Sequence, residues 1–99
     1  MIAVFGILRY DAARLPDLLP HLRELLRATR ANDGCIAYDV GVDVNEPGLL
    51  RFSELWPDQA TLDRHFQAPH MGPWLQASRQ CGVLERRFTA YEVGASRAL

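Results

Sequence analysis

Residues Ile2 to Arg9 are rich in β-formers and carry apolar side chains on both alternating faces: Ile2, Val4 and Leu8 on one, Ala3, Phe5 and Ile7 on the other. A half-covered strand alternates apolar with polar, whereas a strand apolar on both sides sits in the middle of a sheet and is covered twice. Any fold for this chain must therefore supply two layers against its first strand. With 99 residues there is room for one modest core, because the buried fraction rises with chain length and small domains stay marginal. A second copy of the chain is the expected source of the second layer.

The remaining pattern alternates between helical and strand periods. From Leu15 to Ala31 the positions Leu15, Leu18, Leu19, Leu22, Leu25, Leu26 and Thr29 follow the spacing of an amphipathic helix, with Arg23, Glu24, Arg27 and Arg30 largely on the other side. Pro16 suits a first turn, but Pro20 would delete a backbone hydrogen bond, so the spacing predicts an irregular start or one postponed to Pro20. Asn32-Asp33-Gly34 stops the helix. Cys35 to Val44 alternates as a half-buried strand, Asn45-Glu46-Pro47-Gly48 is turn chemistry, and Leu49 to Trp56 returns as a second strand of a hairpin. Asp58 is positioned to cap a helix that ends by Pro69; a further helix is expected from Pro73 to Gln80 and a last strand from Val83 to Val93. The order β, α, β, β, α, β predicts a ferredoxin-like α+β fold with an antiparallel sheet and helices on one face. Without repeats or linkers, residues 1–99 read as one domain with a loose tail over 95–99.

Composition excludes several classes of chemistry. The 11 basic residues against 12 acidic ones give a net charge of −1, and the basic residues are dispersed, so no nucleic-acid footprint is expected. Every basic residue is arginine, which rules out a Schiff-base or P-loop lysine. Cys35 and Cys81 lack CxxC spacing and read as buried thiols. Ser53, Ser78 and Ser96 have no GxSxG context. His65 and His70 are five apart with Pro69 between them, which does not put two metal ligands on one helical face. No apolar run approaches the ~20 residues that span a bilayer and no leader pattern is visible, so no membrane partner and a cytoplasmic location are expected.

The most informative stretch runs from Asn32 to Trp74. Asp33-Gly34-Cys35-Ile36-Ala37-Tyr38 follows the first helix, Phe52-Ser53-Glu54-Leu55-Trp56 closes the hairpin, and Leu62-Asp63-Arg64-His65-Phe66-Gln67-Ala68-Pro69-His70-Met71 follows the second. This order and spacing resemble the antibiotic biosynthesis monooxygenase family, with its "GC…Y" strand, "E.W" strand end and "L..H…PH" helix. The resemblance implies a dimeric α+β barrel in which two sheets face each other, with a ligand cavity in each subunit between sheet and helices. It also implies a homodimer acting on a small aromatic substrate and oxygen, since characterised relatives include oxygenases that turn phenols, quinols or anthrones into quinones without metal or flavin. Other relatives degrade haem, and one isomerises a small sugar-like signal, so membership alone does not fix the reaction.

Cofactor-free oxygenation needs a base to deprotonate an electron-rich phenol and donors for an oxyanion, in a water-poor pocket. His65 is the first candidate base, because histidine titrates near neutral pH. Glu54 shares a strand face with Phe52 and Trp56, and a carboxylate there requires a partner. The expected partner is His65 or an arginine. A Glu54/His65 pair would either orient the imidazole for catalysis or only tether helix to strand. Tyr38, Phe52, Trp74 and His70 are expected to line the cavity, His70 near its entrance, and Arg51 or Arg9 to bring a cation near the oxyanion. The haem-degrading branch uses an Asn on the first strand, a Trp on the second helix and a His on the later one. Here the first strand has no Asn, His65 stands at the Trp position and Leu75 near the ligand position. Haem is therefore disfavoured and no cofactor is expected. The main expectation is a cofactor-independent monooxygenase, with an isomerase or a non-enzymatic small-molecule-binding dimer as alternatives.

Overall fold

The computed structural model describes residues 1–99 as a four-stranded antiparallel sheet with three α-helices. Strand β1 spans Ile2–Arg9, helix α1 Leu15–Asn32, β2 Ala37–Val42, β3 Leu49–Trp56, α2 Gln59–Phe66, α3 Met71–Cys81 and β4 Glu85–Glu92, with a short 3-10 turn at Ala12–Arg14. The strand order is β2-β3-β1-β4, every neighbouring pair antiparallel. Strand β3 thus lies between β1 and β2, which α1 connects, and β1 lies between β3 and β4, which α2 and α3 connect. This is the ferredoxin-like α+β arrangement, and the strand with two apolar faces is central. None of the helices is long and apolar enough to cross a membrane.

Helix α1 begins at Leu15 and takes Pro20 into its interior, earlier than the proline pattern predicts. The missing N–H of Pro20 leaves the carbonyl of Pro16 without its helical partner, and both prolines are exposed, so water can serve that oxygen. Leu15, Leu18, Leu22 and Leu25 are all buried on the inner face. At roughly 1.5–3 kcal/mol for each buried leucine, this stripe outweighs an interior proline's cost of about 3 kcal/mol. The helix ends at Asn32 with Asp33 as its C-cap, and Gly34 follows with a φ of 75°, a left-handed conformation that other residues adopt only with strain. Helix α2 starts as expected, with Asp58 Oδ1 accepting from the Thr61 backbone N–H at 2.8 Å and from the Thr61 hydroxyl at 2.7 Å. Helix α3 starts two residues before the expected Pro73, and β2 and β4 are shorter than the apolar patterns suggest. The two cysteines are free thiols, Cys81 buried and Cys35 half-buried.

The two sheet faces differ in cover. Ile2, Val4, Leu8, Leu50, Phe52 and Trp56 point toward the helices and form the core with the α1 leucines. Gly6 is pinned in this face: a Cβ there would overlap the Phe88 ring, which crosses over the glycine from β4 and meets Phe52 edge-on at 5.3 Å between centroids. On the opposite face Phe5 and Tyr91 are 55% and 53% exposed, their rings 6.1 Å apart. Ile7 is buried on that face between its cross-strand neighbours Arg51 and Arg87, whose aliphatic stems can cover it.

Candidate functional site

Between the sheet and helices α2 and α3 lies a cavity of about 320 Å³, within the size range of small-molecule sites. Its floor is Val4, Leu8, Phe52 and Phe88 from three strands, and its roof is Met71, Trp74 and Leu75 from α3. Three polar groups gather at one end: Tyr38 from β2, Glu54 from β3 and His65 from α2. The β3 alternation that puts Phe52 and Trp56 into the core also delivers Glu54 there, and the register pairs Glu54 with Tyr38 across β2 and with Val4 across β1.

His65 is 2% exposed. Its Nδ1 lies 2.6 Å from Asp33 Oδ2. An ionised carboxylate only accepts, so Nδ1 carries the proton and donates it, which leaves the lone pair of neutral His65 on Nε2. Nε2 makes no hydrogen bond within the chain and keeps its contact with the cavity. Burial pushes the imidazole below its ordinary pKa, against the opposing pull of Asp33. The neutral form, able to accept a proton at Nε2, is the one favoured at neutral pH. Tyr38 and Trp56 hold the ring from two sides, with centroids at 5.4 and 4.8 Å.

Glu54 is held differently. One carboxyl oxygen accepts from Trp56 Nε1 at 3.0 Å, and no cation reaches it. Burial raises its pKa to about 7, the indole hydrogen bond only partly offsetting desolvation. The same apolar surroundings, with Glu54 close by, push the Tyr38 phenol well above its usual range, so Tyr38 stays a neutral donor. At neutral pH the cavity end therefore holds a proton acceptor, a carboxyl near its midpoint and a hydroxyl.

Several expectations require correction. His65 is oriented by Asp33, not by Glu54, whose partner is Trp56. Arg51 points to the opposite sheet face and pairs with Asp43 at 2.7 Å, because the odd positions of β3 face away from the helices. Arg9 is engaged at the sheet edge by Glu46 and Glu85. His70 lies outside the cavity: its Nε2 donates to the same Asp33 oxygen at 2.8 Å, and the ring lines a shallow groove with His21, Pro69 and Pro73. Tyr38, Phe52 and Trp74 do line the cavity. Asp33, Ser78, Arg79 and Arg86 join the site without having been expected there. For Asp33 a signal existed: it occupies the C-cap of α1, where the helix dipole disfavours an anion, so a carboxylate there calls for another partner.

His65 and His70 meet despite their five-residue spacing, since Asp33 draws both rings to one point. The three ligand atoms lie within 4.8 Å of one another. Both nitrogens converge on a single carboxylate oxygen at hydrogen-bond length. That is the geometry of two N–H donors sharing one acceptor, and it clamps the α1–β2 turn to α2 and to the start of α3.

A four-stranded antiparallel sheet with a partly open, mainly apolar cavity between sheet and helices defines a ferredoxin-like protein with room for a small ligand. The sequence profile of the antibiotic biosynthesis monooxygenases matches residues 1–77, and the chain belongs to that family. A solved structure from Deinococcus radiodurans, assigned to antibiotic biosynthesis monooxygenase, superposes with a TM-score of 0.90 at 28% identity, over 100% of this chain and 98% of that one. A Caulobacter crescentus structure with the same assignment has a TM-score of 0.89 at 18% identity, covering 95% of this chain and 90% of that one, a likeness of fold alone. The uncharacterized protein sll1783 of Synechocystis is 24% identical over 98 residues, 99% of this chain and 67% of that protein.

Proposed function

We propose that the chain is a cofactor-independent monooxygenase that oxidises a small hydroxylated aromatic of quinol or anthrone type with molecular oxygen. The observation that carries this reading is the Asp33–His65 pair, whose free Nε2 opens into an apolar cavity beside the buried carboxyl of Glu54. His65 Nε2 takes the phenol proton, and the resulting phenolate delocalises charge onto a ring carbon that still bears hydrogen, ortho to the hydroxyl in a quinol and para to it in an anthrone. That carbon forms a bond to oxygen, and the terminal oxygen of the resulting peroxide takes a proton from His65 or Glu54. Loss of the carbon's hydrogen as a proton, with cleavage of the O–O bond, leaves a carbonyl and releases water. One oxygen atom stays in the quinone and the other leaves as water, so no outside reductant is needed. Tyr38 donates to the developing oxyanion, and Phe52 and Trp74 stack on the flat ring.

The assembly belongs to the same proposal. The uncovered sheet face, with Phe5 and Tyr91 at its centre and Ala3, Leu55 and Ile7 around them, packs against the same face of a second copy. Such a self-complementary contact is the commonest symmetry among oligomers, and it supplies the second cover that β1 requires.

The test is oxygen uptake on a panel of quinols and anthrones. Uptake that yields the quinone, and stops in degassed buffer, supports the reading. Turnover that continues in degassed buffer identifies an isomerase instead and overturns it.

A further inference from the structure

The cavity has a second polar end that the reaction above does not use. Arg79 on α3 and Arg86 on β4 both line it. Neither guanidinium has an acidic partner; Arg9, Arg14, Arg27, Arg30, Arg51 and Arg87 each do, and the other unpaired arginines, Arg23, Arg64 and Arg97, do not border the cavity. Arg86 instead lies 4.9 Å above the ring of Phe88, itself part of the cavity floor, an arrangement that holds the cation at the cavity wall. The neighbouring residues Glu85 and Arg87 alternate to the other sheet face and pair there, so they do not neutralise it. The sole acidic side chain of the lining is Glu54, at the far end.

The register shows how far apart the ends are. Glu54 aligns with Val4, and Val4 with Ala90; Arg86 aligns with Leu8. Four residues of strand separate the two levels, roughly 13 Å at the rise of an extended chain, with one strand between β3 and β4. The space between them is apolar and aromatic. A ligand that fills it meets a proton acceptor at one end and two unneutralised cations at the other.

We propose that the ligand is a hydroxylated aromatic acid, bound with its hydroxyl at His65 and Glu54 and its carboxylate at Arg79 and Arg86. This rests on the reading of His65 given above. The guanidinium fork matches a carboxylate, and the pair selects substrates by charge while the inner end performs the chemistry. Neutral quinols of the same shape enter the cavity but leave the two cations unpartnered.

Two probes of equal shape test it: 6-hydroxy-2-naphthoate and its neutral amide, 6-hydroxy-2-naphthamide, titrated calorimetrically into the full chain. The expected result is about tenfold tighter binding of the acid, within the range of two partly exposed ion pairs, shrinking as salt is raised. In R79Q/R86Q, whose substitutions lie at exposed positions, the acid should fall to the affinity of the amide. Equal affinity of acid and amide for the unaltered chain overturns the anionic end and leaves the hydroxyl end standing. An advantage that survives in the double variant overturns the assignment to these two arginines. Failure of both probes to bind overturns the two ends together, and oxygen uptake on neutral quinols then decides separately whether His65 acts as a base.

Discussion

The two faces of the sheet are built from the same strands yet solve opposite problems. Toward the helices, Val4, Leu8, Phe52 and Trp56 are almost wholly buried, and the polar groups among them are satisfied by specific partners: Glu54 by the Trp56 indole, His65 by Asp33. Away from the helices, Phe5 and Tyr91 remain half exposed, and the charged groups, such as Arg51 with Asp43, are paired in solvent-facing positions. A buried unpaired carboxylate is costly, whereas an exposed ion pair contributes little. The buried titratable groups therefore lie on the covered face, where dielectric and water access are controlled, and the uncovered face keeps an exposed apolar patch. One alternation of period two assigns every residue to one task or the other.

The largest effect expected from disturbing the covered face is at His65. His65→Asn retains a donor at the Nδ1 position for Asp33 but no titratable nitrogen, and turnover of an accepted quinol should fall by roughly 10²–10⁴, the usual contribution of a general base. Circular dichroism and chromatography should show an intact fold and unchanged assembly. Activity within a fewfold of the unaltered chain would remove His65 from the chemistry. Asp33→Asn leaves the imidazole in place but weakens control of its tautomer, so a smaller loss, roughly tenfold to hundredfold, is expected in kcat rather than KM.

Glu54 sharpens the comparison through pH. Its folded pKa of about 7 lies above the ordinary carboxylate value of 4.5. Between these values the folded state holds a proton that the unfolded state has lost, so the contribution to stability is complete below pH 4.5 and declines as pH rises through 7. Integrated over that window the loss amounts to about 3 kcal/mol at most. Glu54→Gln keeps an acceptor for the Trp56 indole and removes the titration. Its denaturation midpoint should exceed that of the unaltered chain at pH 8, with the gap closing by pH 5. A gap independent of pH would show that Glu54 is not held protonated by burial.

On the uncovered face, Phe5→Lys puts a charge at the centre of the apolar patch. The prediction is a shift from dimer to monomer in light scattering, with the ordering of the helix-covered face, read by near-ultraviolet dichroism of Trp56 and Trp74, largely retained. A dimer of unchanged affinity would mean that another surface mediates assembly. The smallest effect is expected at Gly6, which belongs to the covered face. Gly6→Ala forces the Phe88 ring away from its seat and should cost roughly 1–3 kcal/mol of stability, with altered cavity occupancy by naphthol-sized probes.

Much of the fold was legible because it depends on periodicity. The strand with two apolar faces, the leucine stripe of α1, the hairpin turn and the Asp58 cap are local patterns, and the structure places them at nearly the expected residues. Boundaries drifted where packing overrode a local rule, as at Pro20, which the buried leucines carry into the helix. The site was legible only in part. Glu54, His65, Tyr38, Phe52 and Trp74 could be assigned to one face and one motif, and the cavity does gather them.

The partners of those residues were another matter. Asp33 lies 32 positions from His65 and 37 from His70, and no periodicity connects a helix C-cap to the ends of two other helical segments. Arg51 was assigned to the site from charge alone, and strand parity turned it to the other face. Arg79 and Arg86 follow no motif and become neighbours of the cavity only because α3 and β4 both border it in the fold. The sequence by itself determined the order of elements, the central first strand with two apolar faces and the residue types available for proton transfer, because these arise from local spacing and composition. Tertiary structure alone decided which carboxylate orients the histidine, which stays buried without a cation, and which arginines are left facing the cavity, because hydrogen bonds and desolvation depend on distances that only the folded chain sets.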